Sequence, residues 1–357
     1  MSSPAPGATA PATTNAGPAD AKASAWRQRL QQLAALAGLV LIFLAFSLAS
    51  PQVFPTYSNI TNILFSGVVI GVLSLGATFV IITGGIDLSV GTGMTLTAVM
   101  SATFIVNMGL PVWLGILLTL LVGAVIGAIN GTNVAILGLP PFIATMAMML
   151  VCQGLALVVS NKAPIYFDLH DHSGFIWLST GNLIPSFPNA PLVLLVAALI
   201  AYVILSKTIL GRYDISIGSN MEATALSGIN VKKWLIIIYA LAGVFTALGG
   251  IMIAARLGSA QPATGAGYEL QAIAAVVIGG TSLMGGRGSV LRSFLGVLVI
   301  AVLQSGLAHV GASEPVKRLI SGAVIVLAVV ADVHRGSWGG AFRRAAGRLR
   351  RGSRSPS

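Results

Sequence analysis

What most constrains this chain is the recurrence of long apolar runs separated by short polar breaks. Such runs lie near residues 30–50, 60–82, 89–107, 112–130, 142–160, 190–206, 234–255, 270–284, 290–310 and 318–333. A hydrocarbon core about 30 Å thick takes about 20 apolar residues per helix. In lipid every backbone N–H and C=O has to be satisfied within the protein, which makes helices the way for such runs to cross. The expectation is an all-α polytopic membrane protein with about ten transmembrane helices, some broken at Gly-rich segments. Little chain remains for anything else, and no soluble catalytic domain fits in it.

Composition agrees. Charged residues are 8% and hydrophobic residues 55% of the chain, against roughly 25% charged in a soluble domain. Forty-two glycines suit close helix–helix approach, because small residues let backbones touch where lipid supplies no hydrophobic drive. The single cysteine, Cys152, lies in an apolar run, so it forms no intrachain disulfide and reads as a small buried hydrophobe.

The formal charge of +11 would suit nucleic acid, but its distribution does not. Arg335, Arg343, Arg344, Arg348, Arg350, Arg351 and Arg354 all follow the last apolar run, as expected of a tail beside an anionic cytoplasmic leaflet. Residues 1–25 are rich in Ala, Pro, Ser and Thr and too poor in large apolar groups to fold. The domain expectation is a disordered cytoplasmic tail over 1–25, a transmembrane domain over 26–334 and a basic cytoplasmic tail over 335–357. Orientation follows from Lys and Arg placement. With the N-terminus inside, the cytoplasm receives Lys22, Arg27 and Arg29, Lys207, Arg212, Lys232 and Lys233, Arg287 and Arg292, and the seven tail arginines. Only Lys162, Arg256, Lys317 and Arg318 fall outside. Both termini and the segment 207–233 are therefore expected in the cytoplasm. The longest outer loop, 161–189, carries Trp177 and several Phe and Tyr residues, which suit the membrane surface.

Three segments carry chemistry. The most charged internal stretch lies between Lys207 and Lys233 and holds Arg212, Asp214, Glu222 and Lys232; it is the obvious place to meet a soluble partner. Ile81–Gly93, I-I-T-G-G-I-D-L-S-V-G-T-G, breaks a span with Gly84 and Gly85 and offers Asp87 and Ser89. Broken backbone at membrane depth is tolerated where it lines a cavity or is buried in protein, and an ionisable residue there is a functional candidate. Asp87 can equally cap the helix that follows. Gly279, Gly280 and Thr281 stand in a second break that matches the first at Gly84, Gly85, Leu88 and Gly91 with a shift of 195, compatible with an internal repeat. M-G-G-R-G-S lacks the G-K-[ST] ending of a phosphate loop. Ser259–Leu270 is an outer loop whose Gln261, Tyr268 and Glu269 can hydrogen-bond hydroxyls, although Glu269 also suits a helix start. The cluster F-D-L-H-D-H at Phe167–His172 fits no helical metal pair, so no metal site is expected. His309 and His334 have no acidic neighbour except Asp332, which argues against an embedded enzyme.

The motifs T-G-G-I-D-L-S-V-G, P-F-I-A-T-M-A-M-M-L, L-G-R-Y with S-G-I-N-V, A-R-L-G-S-A-Q-P and G-Y-E-L-Q-A-I-A-A-V-V-I-G-G-T-S-L-M-G-G-R-G resemble, in order, those of permease subunits of bacterial monosaccharide ABC importers, the ribose/xylose/arabinose/galactose group. The similarity runs from about residue 50 to 333 and is nearest to ribose-type permeases. It implies a permease that works beside a second permease copy, a cytoplasmic sugar-importer ATPase and a periplasmic sugar-binding protein, translocating a monosaccharide by alternating access. ATP and Mg would sit on the ATPase, with no cofactor on this chain. The resemblance places ATPase coupling at Gly211, Arg212, Asn220, Glu222, Ala223, Ser227 and Gly228. Met221 departs from the glutamate of many members, and Ala225 from a common arginine. A neutral sugar needs no intramembrane charge pair, whereas an ion-coupled symporter usually carries carboxylates in its spans.

Overall fold

The computed structural model describes residues 36–168, 170–313, 315–327 and 329–330. The expected tails at 1–25 and 335–357 lie outside them. Helices α1 (Leu36–Ala49), α2 (Tyr57–Ile82), α3 (Val90–Ala102), α4 (Val112–Ala135) and α5 (Pro141–Val159) come first. They are followed by the two-residue β1 (Ile165–Tyr166), then α6 (Ser173–Thr180), α7 (Asn189–Lys207), α8 (Ile209–Ser219), α9 (Met221–Leu226) and α10 (Val231–Leu257). Strand β2 (Ser259–Ala260), α11 (Tyr268–Ile278), α12 (Val290–His309) and a last helix over residues 315–327 complete the fold. Strands β1 and β2 pair antiparallel, Ile165 with Ala260 and Tyr166 with Ser259. The protein is all-α and multi-pass.

Seven helices among the described residues are long and apolar enough to cross a membrane: α2, α3 with the π-turn Thr103–Asn107 that extends it, α4, α5, α7, α10 and α12. The run 270–284 behaves differently from a full span. Helix α11 has 11 residues, about 16 Å at 1.5 Å each, and stops at Gly279–Gly280. The first and last runs appear as α1 and as residues 315–327.

Burial sorts these helices into a centre and a periphery. The apolar window of α2 is 89% buried and that of α3 72%, against 22% for α4 and 28% for α5. Helix α2 is the most buried span, packed by α7, α10, α11 and α12, while α4 and α5 turn wide apolar faces outward. Helix α4 still holds tightly to α10, along a stripe of Gly123, Gly127 and Gly131. A Cβ on Gly123 would strike the carbonyl of Gly243, one on Gly127 the carbonyl of Tyr239, and one on Gly131 the Cα of Ile236 at 2.7 Å. Glycines four apart fall on one helix face, and this G-x-x-x-G pattern lets the two backbones meet.

Part of the loop 161–189 is drawn into the helix core. Phe167 and Phe175 are buried and stack with ring centroids 4.4 Å apart, joining the core cluster that holds Met94, Val99 and Cys152. Tyr166 and Trp177 stay exposed. Asp168 accepts from the N–H groups of His170 (2.8 Å) and Asp171 (3.2 Å). Those bonds, the His170 one foremost, hold its carboxyl below the usual range. The F-D-L-H-D-H segment is thus a loop bonded to itself.

Candidate functional site

Both glycine breaks begin with the same helix ending. At the end of α2 the N–H of Gly84 donates to the carbonyl of Ile81 (2.9 Å) and that of Gly85 to Val80 (3.1 Å). At the end of α11 the N–H of Gly280 donates to Val277 (2.8 Å) and that of Thr281 to Val276 (3.2 Å). Gly84 has φ +82° and Gly280 φ +87°, the left-handed residue of a Schellman ending. The structural correspondence is therefore Gly84 with Gly280, a shift of 196, one residue from the match by letter. Helix C-termini impose that register through backbone conformation, and a run of adjacent glycines hides it.

The chain leaves the second break as a tight turn. The N–H of Ser282 donates to the carbonyl of Arg287 (3.0 Å) and that of Gly285 to Ser282 (3.1 Å). The turn is tied to the first break, since the N–H of Gly286 donates to the carbonyl of Ile82 (2.8 Å). Helix α8 closes the group. Gly218 lies against that same Ile82 carbonyl, and a Cβ on Gly286 would meet the Ser219 hydroxyl at 2.7 Å. The two breaks and the end of α8 thus form one junction. The glycines of both breaks stand out in the sequence, but their contact with each other and with Gly218 and Ser219 does not.

Above the first break, Asp87 is buried. One carboxylate oxygen accepts from the N–H (2.8 Å) and the hydroxyl (2.6 Å) of Ser89. Ser89 is the N-cap residue of α3, so Asp87 orients the cap from two residues before it, as an Asx turn does. The Asn130 amide of α4 donates to the Ser89 hydroxyl (2.9 Å). Asp87, Ser89, Asn130, Thr246 and facing glycines of α3, α4 and α10 leave room for about one water. The Asn130 carbonyl oxygen and the Tyr239 hydroxyl are buried with no hydrogen-bond partner among the described residues. Neither was singled out from sequence, although an Asn in a long charge-free run is a visible signal.

The coupling residues take two helices. Gly211 is buried in α8 where a side chain would run into the backbone of Leu205, and Arg212 points outward. Asn220 caps α9, its side chain accepting from the Ala223 N–H at 2.9 Å. The Ser227 hydroxyl donates to the Ala223 carbonyl (2.9 Å). Gly228 ends the helix at φ +83° with open space where a Cβ would stand, so its need is conformational. Glu222 is exposed. Asp214 lies on the inner face of α8, fully buried, and neither carboxylate oxygen has a hydrogen-bond partner among the described residues. Burial pushes its pKa well above the ordinary carboxylate value.

The outer set stands apart from this junction. Glu269 accepts from the N–H of Gly267 (3.0 Å), which is the helix-start role. The carboxylate also packs on Gly91 in the first turn of α3, so Asp87 and Glu269 flank one helix N-terminus, where negative charge is favoured. Tyr268 is half-buried between two core clusters, and Gln261 is exposed. Among the described residues no three His, Cys, Asp or Glu side chains are grouped to hold a metal.

Comparison with known proteins gives the arrangement its family. Residues 59–329 match the model of the branched-chain amino acid transport system / permease component family. The ribose import permease protein RbsC of Escherichia coli K12 is 41% identical over 309 residues, covering 86% of this chain and 94% of that one. RbsC of Bacillus subtilis 168 is 41% identical over 303 residues, 85% and 93% of the two chains. The fructose import permease protein FrcC of Rhizobium meliloti is 36% identical over 300 residues, 82% and 83%. No solved structure matches the chain. This multi-pass chain, matched over residues 59–329, belongs to this family and is the inner-membrane permease component of an ABC importer, with ATP hydrolysis on a partner subunit.

Proposed function

We propose that this permease carries a monosaccharide, ribose or a close relative, into the cell by alternating access, working as a pair with a second copy. Membership in the family entails an ATPase subunit and a substrate-binding protein as partners. The binding protein is periplasmic in this reading. The relatives above are named for ribose and fructose, which favours a sugar over the amino acids of the family description. The chemistry supports it: Asp87 and Glu269 are already engaged by Ser89 and Gly267, so neither is a spare charge for a zwitterion.

The observation that carries the mechanism is the junction. In our reading the ATPase docks on α9, and its movement passes through α8 to Gly218 and Ser219. Those residues bear on the backbone of both breaks, so Gly84, Gly85, Asp87 and Ser89 would shift together with Gly279, Gly280 and Thr281 to open the path to one side. Gln261, Tyr268 and Glu269 then stand at the outer entrance. The test is uptake by the reconstituted importer. Gly228→Val forces a β-branched residue into a left-handed conformation and should leave the permease inserted while uncoupling ATP hydrolysis from uptake. Normal coupled uptake would remove α9 from the mechanism. Both termini are cytoplasmic in this reading, so thiol labelling should reach a cysteine at Ser219 from inside and one at Ser173 from outside.

A further inference from the structure

Met284 is the most exposed large hydrophobic side chain among the described residues, at 85%. Its setting is rigid. The Met284 N–H donates to the Ser282 hydroxyl (3.2 Å), the turn is closed between Ser282 and Arg287, and Gly285 and Gly286 hold φ of +79° and +71°. The turn is anchored from behind by the bond from Gly286 to Ile82 and by the contact with Ser219. A pinned turn that presents an apolar tip beside the exposed Arg287 has the form of a contact point, since lone flexible side chains need no such support.

The neighbouring surface continues it. Ser219 leads through Asn220 directly into α9, where Met221 and Leu226 are exposed, Leu226 at 83%. Met221 and Met284 each lie two residues from the contact of Ser219 with Gly286. In the segments that carry these apolar points and flank them in sequence, Arg212, Lys232, Lys233 and Arg287 are exposed. Glu222 is the one exposed acid among residues 207–233 and 282–292. A surface of apolar knobs in a basic rim complements a soluble protein with apolar pockets bordered by carboxylates.

We propose that the Ser282–Arg287 turn, through Met284 and Arg287, is a second docking point for the ATPase subunit beside α9. It rests on the reading that the ATPase docks on α9. The two points are joined through Gly218 and Ser219, so the ATPase would grip the second break directly as well as through α8.

The test uses the full permease assembled with its ATPase. Met284→Cys and Leu226→Cys, made separately, are each treated with a short thiol-reactive photo-cross-linker. Both are expected to capture the ATPase. Met284→Asp should lower ATPase affinity at least about tenfold, as loss of an interface anchor does, while membrane insertion is kept. Capture from Leu226 alone overturns the second docking point and leaves the first. Capture from neither overturns the docking reading itself. Cross-linking of Met284→Cys to the second permease copy or to lipid, or unchanged affinity in Met284→Asp, also overturns the proposal.

Discussion

The two glycine breaks share a helix ending yet use their glycines in opposite order. In the first, Gly84 supplies the left-handed conformation and Gly85 makes room, since a Cβ there would meet the Tyr239 hydroxyl and, at 3.2 Å, Val80. In the second, Gly280 is left-handed and Gly279 makes room, its would-be Cβ striking the backbone of Arg292 and, at 2.7 Å, Ser293. The same two letters thus encode conformation then packing in one place, packing then conformation in the other. The packing partners also differ. Tyr239 offers the end of a side chain, whereas α12 offers fixed backbone.

That difference orders the expected effects. Gly279→Val should be the most damaging, about 3 kcal/mol or more by overpacking against backbone, visible as a loss of monodisperse protein in detergent. If it were milder than Gly85→Val, the assignment of packing roles would be reversed. Gly84→Ala and Gly280→Ala should each cost about 1–2 kcal/mol for the left-handed conformation, alike in thermal midpoint despite their different surroundings. A clear inequality would break the structural correspondence of the two residues. At Asp87, Asn should retain the bond to the Ser89 N–H and Leu should lose it. The difference is expected at about 1 kcal/mol, the typical worth of a capping interaction, read in thermal midpoint and in uptake per inserted protein.

A further effect concerns the third member of the junction. Asp87 has partners and, among the described residues, Asp214 has none, so Asp214 binds its proton more tightly in the packed state than when α8 is free. Stability from this group is fully present below about pH 3.8, the ordinary value, and is lost as pH rises through the raised one. Wild-type thermal midpoints should therefore fall as pH rises across that window, and Asp214→Asn should flatten the slope. An unchanged slope would show that Asp214 meets water or a partner.

The spans were legible because a run of about 20 apolar residues has few alternatives. The inward turn of Phe167 and Phe175 was not, because the same aromatics suit a membrane surface equally well. Nor was the shift of 196: glycine-rich text matches itself at neighbouring offsets, and only the carbonyls of Val80 and Val276 choose between them. Asp214 looked like one more charge in a charged segment. Its burial depends on which face of α8 turns toward α2, α7 and α10, which only the packing decides.

The glycine seam between α4 and α10 has a consequence in entropy. Side chains that interlock must give up rotamers, at a cost of up to about 2 kcal/mol each for the longest ones. Gly123, Gly127, Gly131 and Gly243 have no rotamers to surrender, so at these four positions the two helices associate with no side-chain freedom lost. In a bilayer, where no hydrophobic push offsets such losses, contact between bare backbones is a seam that closes without a rotamer to freeze at any of the four glycines.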